Sequence, residues 1–412
     1  MSLSVTCMMV FATAPVFGLA SAMDTFCSTA FTASSDKKLV GFHFQRGLIA
    51  VVTHLLLIAP ILWNAEYILL ALNQDPDVAR LSGMYLRVQI PGILPSSMFE
   101  VVRRYLQAQG IMRAGTIVIL CVAPFHWFNN FFFVRSPTYG IGFLGAPIVN
   151  NITSTMLFTG ISIYTYNSRA METWGGWTAT AFRNMSSYYS LAIPSVVTTC
   201  SEWVVFELLV IATSYFGANQ LAGQAILLNS VRILTQLSIG LGLATSPRVG
   251  NLIGAAKPRQ ARIAMHMAMV ASAIIGSMGT LFLIFYGEWW TSVYTTDPDV
   301  ALEAAKLMRV ACVFIVSDGL NAVLGAILRG LGRQRASMNI FIFGFYICAI
   351  PVASFFGYAQ HMETVGLWWG LCVGVITSCV IHIVYVLKVV DWNDEVRLCM
   401  LRLKGSGTTN SD

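Results

Sequence analysis

Apolar stretches of about 20 residues recur along the whole chain. A helix of that length crosses the roughly 30 Å hydrocarbon core of a bilayer. The stretches are unbroken rather than alternating, which indicates membrane helices and not the strands of a β-barrel. With 56% hydrophobic and only 11% charged residues, the chain has too few polar side chains to cover a water-exposed surface. We therefore predict an all-α polytopic membrane protein.

The apolar pattern predicts eleven membrane helices. Their predicted bounds are 3–30, 47–71, 84–102, 114–134, 141–166, 187–212, 221–246, 263–287, 305–328, 336–357 and 365–387. The first segment lacks the basic start and the cleavage site of a signal peptide, so we expect a retained helix.

The distribution of lysine and arginine predicts the orientation of these helices. Most of the 25 basic residues fall in one alternate set of loops and in the C-terminal tail. The positive-inside rule places this set, and with it the C-terminus, in the cytosol. The net charge of +6 therefore reflects topology and does not require a nucleic-acid partner.

Several classes of active site are disfavoured. The nine cysteines and six histidines show no metal-ligating spacing, and there is no Walker A motif. No acid and nucleophile gather in a loop, so an enzyme is disfavoured. We expect no metal and no cofactor.

The chain contains an internal repeat. The sequence DPDVA at 75–79 returns at 297–301, and the same offset of 222 relates Gly18 to Gly240 and Gly110 to Gly332. Both copies have the same predicted orientation, so the repeat is parallel, as in transporters with two like bundles and a midplane substrate site. The predicted organisation is an N-terminal bundle at 1–166, a cytosolic linker at 167–186, a C-terminal bundle at 187–390 and a cytosolic polar tail at 391–412.

One copy of the repeat is shorter than the other. The helix predicted at 187–212 has no counterpart in the first copy, because subtracting 222 places it before Met1. The two pseudo-symmetric bundles therefore contain five and six helices. We interpret the sequence as an N-terminally shortened form, from either a shortened gene model or a short isoform.

Six motifs lie in order along nearly the whole chain. They are GLASAMDTFCSTAF (18–31), IPGILPSSMFEVVRRYLQAQG (90–110), SEWVVFELLV (201–210), SPRVGNLIGAAKP (246–258), SDGLNAVLGAILRGLGRQ (317–334) and VGLWWG (365–370). With these motifs the chain resembles the multidrug and toxic compound extrusion (MATE) family, particularly its plant and fungal branch. The resemblance implies a six-plus-six helix antiporter that exchanges H⁺ or Na⁺ for organic, often cationic, compounds. The first family helix would be absent here.

Acidic residues within apolar helices are the candidates for ion coupling, because charge in lipid is costly and usually functional. Glu202 and Glu207 lie on one predicted helix, about 140° apart around its axis. Asp318 lies in a separate apolar run. A carboxyl group withdrawn from water can bind and release a proton near neutral pH. The MATE resemblance points to Glu202 and Asp318 as proton or cation sites and leaves Glu207 open between coupling and a structural role.

Four further residues are candidates for the substrate cavity. Asn229 stands where animal MATE members carry a third glutamate, and Arg232 follows one turn later. A buried arginine must pair, and Glu207 or Glu202 is its natural partner. Trp203 and Phe206 could stack on a cationic compound, although ordinary packing is the alternative.

Charged residues near predicted cytosolic helix ends have a simpler interpretation. Arg103 and Arg104 are expected to reach water at the end of their helix. Arg329 is expected to belong to a cytosolic helix end. Asp24 is expected to have a helix-end polar role, with ion coupling as the alternative.

The predicted function is secondary antiport of small organic compounds against H⁺, or Na⁺, by alternating access. The expected partners are these substrates and the lipid bilayer, with the protein monomeric in the plasma or vacuolar membrane. Two alternatives remain open. One is a lipid-linked oligosaccharide flippase, disfavoured because Arg232 is the only basic residue deep within a predicted span. The other is a non-transporting truncated isoform.

Overall fold

The computed structural model describes residues 2–136 and 140–407. Within these ranges the chain is almost entirely helical and contains no β-strand. All eleven predicted segments are helical, and most of the helices extend beyond the predicted bounds.

Several of the helices contain a π-helical turn, and three short 3-10 turns lie between helices in the described ranges. In chain order the helices are α1 (Leu3–Ala33), α2 (Lys38–Trp63), α3 (Ala65–Ala71), α4 (Pro76–Ala108), α5 (Arg113–Arg135), α6 (Gly145–Tyr166), α7 (Met185–Ser214), α8 (Ala218–Gly254), α9 (Pro258–Tyr294), α10 (Pro298–Leu331), α11 (Gln334–Ala359), α12 (Glu363–Val389) and α13 (Trp392–Gly407).

In the described part of the chain, nine helices are long and apolar enough to cross a membrane. The predicted spans 84–102 and 141–166 lie in α4 and α6, which are helical over 33 and 22 residues but are not among these nine. Polar side chains lower their hydropathy: α4 carries an acid and two arginines in its last turns, and α6 carries two asparagines.

The repeated sequence forms the same local structure in both copies. The Asp75 carboxylate accepts hydrogen bonds from the backbone N–H groups of Asp77 and Val78, at 2.9 and 3.1 Å, and thereby caps α4. The Asp297 carboxylate caps α10 in the same way. In each copy proline follows the cap, where its missing N–H has no cost. The repeated sequence therefore starts a helix in the same way in both copies.

The chain divides into two compact units, Met1–Cys200 and Ser201–Asp412. The division falls inside α7 and not in the predicted linker at 167–186. The first half of α7 packs in the first unit, where the Tyr188 hydroxyl donates to the carbonyl of Leu19 at 2.8 Å. The second half packs in the second unit, where Val205 and Leu209 join its buried core.

In the second unit, α10 is the most deeply buried of the nine apolar helices. It contacts α8, α9 and α12. Phe314, fully buried on α10, contacts Trp368 of α12 edge to face, with ring centroids 5.7 Å apart. Asp318 and Asn321 of this helix are half-buried.

The predicted polar tail is largely helical. Residues 392–407 form α13, and residues 408–412 lie outside the described residues. The fully buried Glu395 carboxylate attaches α13 to Arg333, between α10 and α11, with an Nη2–Oε1 distance of 2.6 Å, and it lies 3.5 Å from Arg402 of the same helix. Arg402 also donates to the carbonyl of Leu331 at the end of α10.

We expect Glu395→Gln to release α13 from the second unit, because it leaves two arginines without the charge that joins them. Breaking a buried ion pair costs about 3–5 kcal/mol. Limited trypsin digestion should therefore cleave at the exposed Arg397 much faster in this variant. Asp394→Asn, which breaks only an exposed pair with Arg397, is the matched control and should digest at the wild-type rate. Equal rates for both variants would contradict this role of Glu395.

Candidate functional site

Two of the predicted coupling acids lie together in the second unit. Glu202 on α7 and Asp318 on α10 are close enough for their charges to interact. The Tyr346 hydroxyl on α11 donates to the carbonyl of Ser201 at 2.9 Å, which fixes α7 beside Glu202. Sequence reasoning therefore selected two acids that the fold brings into one polar cluster.

Arg329 belongs to the same cluster, although it was predicted to be a helix-end group. Its charge acts on Glu202. A side chain on a helix leans towards the N-terminus, and the Arg329 guanidinium lies back along α10 beside Gly325. A Cβ atom at Gly325 would be 3.6 Å from Arg329 Nη1. The guanidinium therefore lies within van der Waals contact of this position, one turn before its own residue.

A chain of hydrogen bonds extends the cluster into α11 and α12. Asn321 Nδ2 donates to the carbonyl of Val375 at 3.4 Å, which leaves its Oδ1 as an acceptor. His382 Nδ1 donates to that oxygen at 2.8 Å. In the neutral ring His382 Nε2 is then an acceptor, and the Ser337 hydroxyl donates to it at 3.2 Å. The chain joins three helices around Asp318.

Sequence reasoning missed Arg329, Asn321 and His382. A signal was present, because Asp318, Gly325 and Arg329 are spaced by seven and four residues and so share one face of α10. His382 was set aside for lack of metal spacing, yet its role here is that of a hydrogen-bond relay between helices. Only the packing of α12 on α10 reveals it.

The four predicted cavity residues lie in different environments. Arg232 was expected to be buried, and it is exposed; its guanidinium lies over the Trp203 ring, 5.5 Å from the centroid, which is a favourable contact for a cation. Its pairing with a glutamate stays a prediction. Asn229 is also exposed. Phe206 packs against the core and meets Phe314 edge to face at 6.3 Å.

Glu207 is half-buried on α7, five residues beyond Glu202. It takes part in a polar or electrostatic contact. Whether it couples ions or only supports the helix stays a prediction.

A second charged cluster lies in the first unit. Arg104 Nη1 is 2.7 Å from Asp24 Oδ2, and Arg104 Nε is 2.9 Å from Glu100 Oε1. Arg103 Nη2 contacts the other Glu100 oxygen at 2.5 Å. Asp24, Glu100 and Arg104 are all buried, so the prediction that Arg104 reaches water is wrong. Asp24 is a buried partner of Arg104, and its predicted polar role at the helix end stays a prediction. The cluster binds α1 to α4.

An open cavity of about 610 Å³ lies in the first unit. It lies between α4, α5 and α6, with Pro91, Val122 and Asn151 among its lining residues. The Asn151 amide donates to the carbonyl of Val88 at 2.6 Å, while its buried oxygen has no hydrogen-bond partner. None of the four predicted cavity residues lines this space.

Long apolar helices that enclose clustered charges are typical of a multi-pass membrane transporter. Comparison with known proteins supports this class. The MatE family model matches residues 1–132 and 194–355. The chain belongs to the MatE family of transporters, which are not enzymes.

Similar proteins span fungi and animals. The chain is 33% identical over 387 residues to an uncharacterized transporter of Schizosaccharomyces pombe, covering 92% of this chain and 70% of that protein. It is 30% identical over 377 residues to mouse multidrug and toxin extrusion protein 2, covering 91% of this chain and 65% of that protein. The crystal structure of the eukaryotic MATE transporter AtDTX14 matches with a TM-score of 0.90 and 25% identity, covering 98% of this chain and 90% of that one.

We expect Arg104→Gln to destabilise the first unit by about 3–5 kcal/mol, because Asp24 would remain buried without a cation. Arg87→Gln, which breaks a half-exposed pair with Glu66, is the control and should cost at most about 1 kcal/mol. Reversible denaturation in micelles gives both unfolding free energies. The double variant Asp24→Asn/Arg104→Gln should be more stable than Arg104→Gln alone. A double variant as unstable as the single one would show that the pairing of these charges is not the cause.

Proposed function

We propose that this chain exports small organic compounds, cationic ones among them, in exchange for protons. The observation that carries the proposal is the proximity of Glu202 and Asp318 within apolar helices. Two neighbouring carboxylates repel each other strongly where water is excluded. A proton that binds to either one relieves this repulsion, so the cluster is suited to change charge by single protons.

The net charge of each cluster supports a structural role for the cluster in the first unit and a coupling role for the cluster in the second. In the first unit, Asp24 and Glu100 are balanced by Arg103 and Arg104. In the second unit, Glu202 interacts both with the carboxylate of Asp318 and with the guanidinium of Arg329, and these three groups carry one net negative charge when both acids are ionised. One added proton neutralises this second group, and its loss restores a negative charge.

Alternating access then links this charge to transport. With Glu202 and Asp318 ionised, the site attracts an organic cation from the cytosolic side. Protonation from the outer side weakens that attraction and releases the cation, and loss of the proton to the cytosol restores the site. The aromatic faces of Trp203 and Phe206 offer further attraction for a cation. The hydrogen-bond chain through Asn321 and His382 would transmit the change to α11 and α12.

The remaining features of the proposal follow from the sequence. Proton binding requires no cofactor, and Na⁺ is the alternative coupling ion. The positive-inside pattern places the C-terminus in the cytosol. We propose a monomer in the plasma membrane or the vacuolar membrane.

The test is uptake of a fluorescent organic cation into proteoliposomes under an imposed pH gradient. We expect Glu202→Gln and Asp318→Asn each to lower proton-driven transport at least about tenfold, because each removes a titrating carboxyl group. Glu288→Gln removes an exposed acid at the end of α9 and should transport like wild type. Glu207→Gln distinguishes the two roles left open for that residue, since a purely structural acid leaves the pH dependence unchanged.

Three results would contradict the proposal. Wild-type transport by Glu202→Gln would remove this acid from the mechanism. Transport that follows a sodium gradient and ignores the pH gradient would assign the acids to a sodium site. Absence of transport by the wild-type chain under both gradients would favour the non-transporting alternative.

A further inference from the structure

Residues 168–183, between α6 and α7, are fixed to the surface of the first unit rather than forming a free linker. We call this segment the strap. Ser168 and Thr178 each cap a short 3-10 turn by accepting a backbone N–H on the side-chain oxygen. Gln45 on α2 binds the middle of the strap: its Nε2 donates to the carbonyl of Gly176 at 2.8 Å, and its Oε1 accepts the N–H of Thr178 at 2.9 Å.

The two ends of the strap are also fixed. The Tyr105 hydroxyl on α4 donates to the carbonyl of Ala170 at 2.8 Å. Arg46 Nη2 on α2 donates to the carbonyl of Arg183 at 3.0 Å. At Gly41 a Cβ atom would be 2.5 Å from the carbonyl oxygen of Thr173, so only glycine permits this close approach. The strap therefore has a defined surface.

That surface presents large aromatic side chains outward. Trp177 is 76% exposed and Phe182 is 68% exposed. Trp177 is held at the edge of the half-buried Trp174, with centroids 5.1 Å apart, and Trp174 in turn meets Phe44 of α2. These two exposed side chains are thus placed by a rigid support, yet they contribute little to the core of the first unit.

Positive charge surrounds the aromatic side chains. The exposed charged residues of the strap and the adjacent α1–α2 turn include four basic and two acidic ones: Lys37, Lys38, Arg169 and Arg183 against Asp36 and Glu172. The buried Arg46 lies beneath the strap, and in the described part of the chain no carboxylate oxygen lies within 4 Å of its nitrogens. The surface is therefore complementary to an anionic partner.

The strap contacts α2 near the start of its candidate membrane span, Lys38–Trp63. Gln45 is seven residues beyond that start, which corresponds to about 10 Å along the helix axis. The headgroup layer on each side of a bilayer is about 5–8 Å deep, so a contact near the start of a span is expected to lie close to this layer. Tryptophan and basic side chains are enriched in this layer, and its cytosolic leaflet is negatively charged.

We propose that the strap surface binds the anionic phospholipid headgroups of the cytosolic leaflet, with Trp177 and Phe182 inserted at the base of the headgroups and Arg169, Arg183 and Lys38 against their phosphates. The partner is a lipid surface and not a transported compound, so this inference is independent of the antiport mechanism. Binding here would hold the connection between α6 and α7 in one position on the membrane.

The test uses the full chain in nanodiscs of phosphatidylcholine alone or with phosphatidylserine, and amide hydrogen exchange of residues 168–183 is the readout. A basic residue near an anionic surface changes binding by roughly fivefold. We therefore expect phosphatidylserine to slow exchange in the strap by about tenfold or more. The variant Arg169→Gln/Arg183→Gln should lose most of this slowing, because it keeps the backbone contacts of the strap and removes two charges.

Two controls make the result specific. Lys257→Gln/Arg259→Gln removes two exposed charges between α8 and α9 and should keep the slowing seen in wild type. Trp177→Ala/Phe182→Ala should reduce the slowing while leaving the charges intact. Each variant is also measured in phosphatidylcholine alone. An exchange rate of the strap equal to that of wild type shows that the variant has folded.

Several outcomes would overturn the proposal. Exchange that does not depend on phosphatidylserine would remove the lipid surface as a partner. The same slowing by inorganic phosphate at matched ionic strength would identify a site for a soluble anion. An equal loss in the Lys257→Gln/Arg259→Gln variant would show that the effect is one of total charge and not of the strap.

Discussion

Hydrocarbon offers no hydrogen-bond partner to a polar group, and the structure of this protein depends on that constraint. Backbone groups meet it by forming helices over nearly the whole described chain. Charged side chains meet it by gathering, since an isolated buried charge is far costlier than a paired one. The result includes a charged cluster on α1 and α4 in the first unit and another on α7 and α10 in the second.

The two units share a scaffold but differ in chemistry. Both copies of the repeated sequence start a long helix with the same aspartate cap. Inside those helices the offset of 222 sets Arg104 opposite Ala326 and Asp318 opposite Ser96. One unit therefore has a balanced set of charges that joins helices, and the other has interacting carboxylates with a single guanidinium. The shared scaffold therefore holds different charged groups at corresponding positions.

Glycine and small side chains decide how closely the parts approach. Gly41 lets the strap carbonyl of Thr173 meet α2, because a Cβ atom there would be 2.5 Å from that oxygen. The position carries no chemistry of its own. A larger side chain at Gly41 would displace the strap backbone.

The sequence by itself determined the helical membrane class, the parallel repeat and the two acids Glu202 and Asp318. Apolar segments, the internal repeat and charged residues within apolar segments are properties of the sequence itself. They can therefore be recognised without knowing which helices pack together. Only the tertiary structure decided the environment of each side chain. It joined Asp24 to Arg104 across 80 residues and joined Asn321 to His382 across 61. It also left Arg232 exposed and fixed residues 168–183 as a strap on α2, because burial and pairing depend on which helices become neighbours.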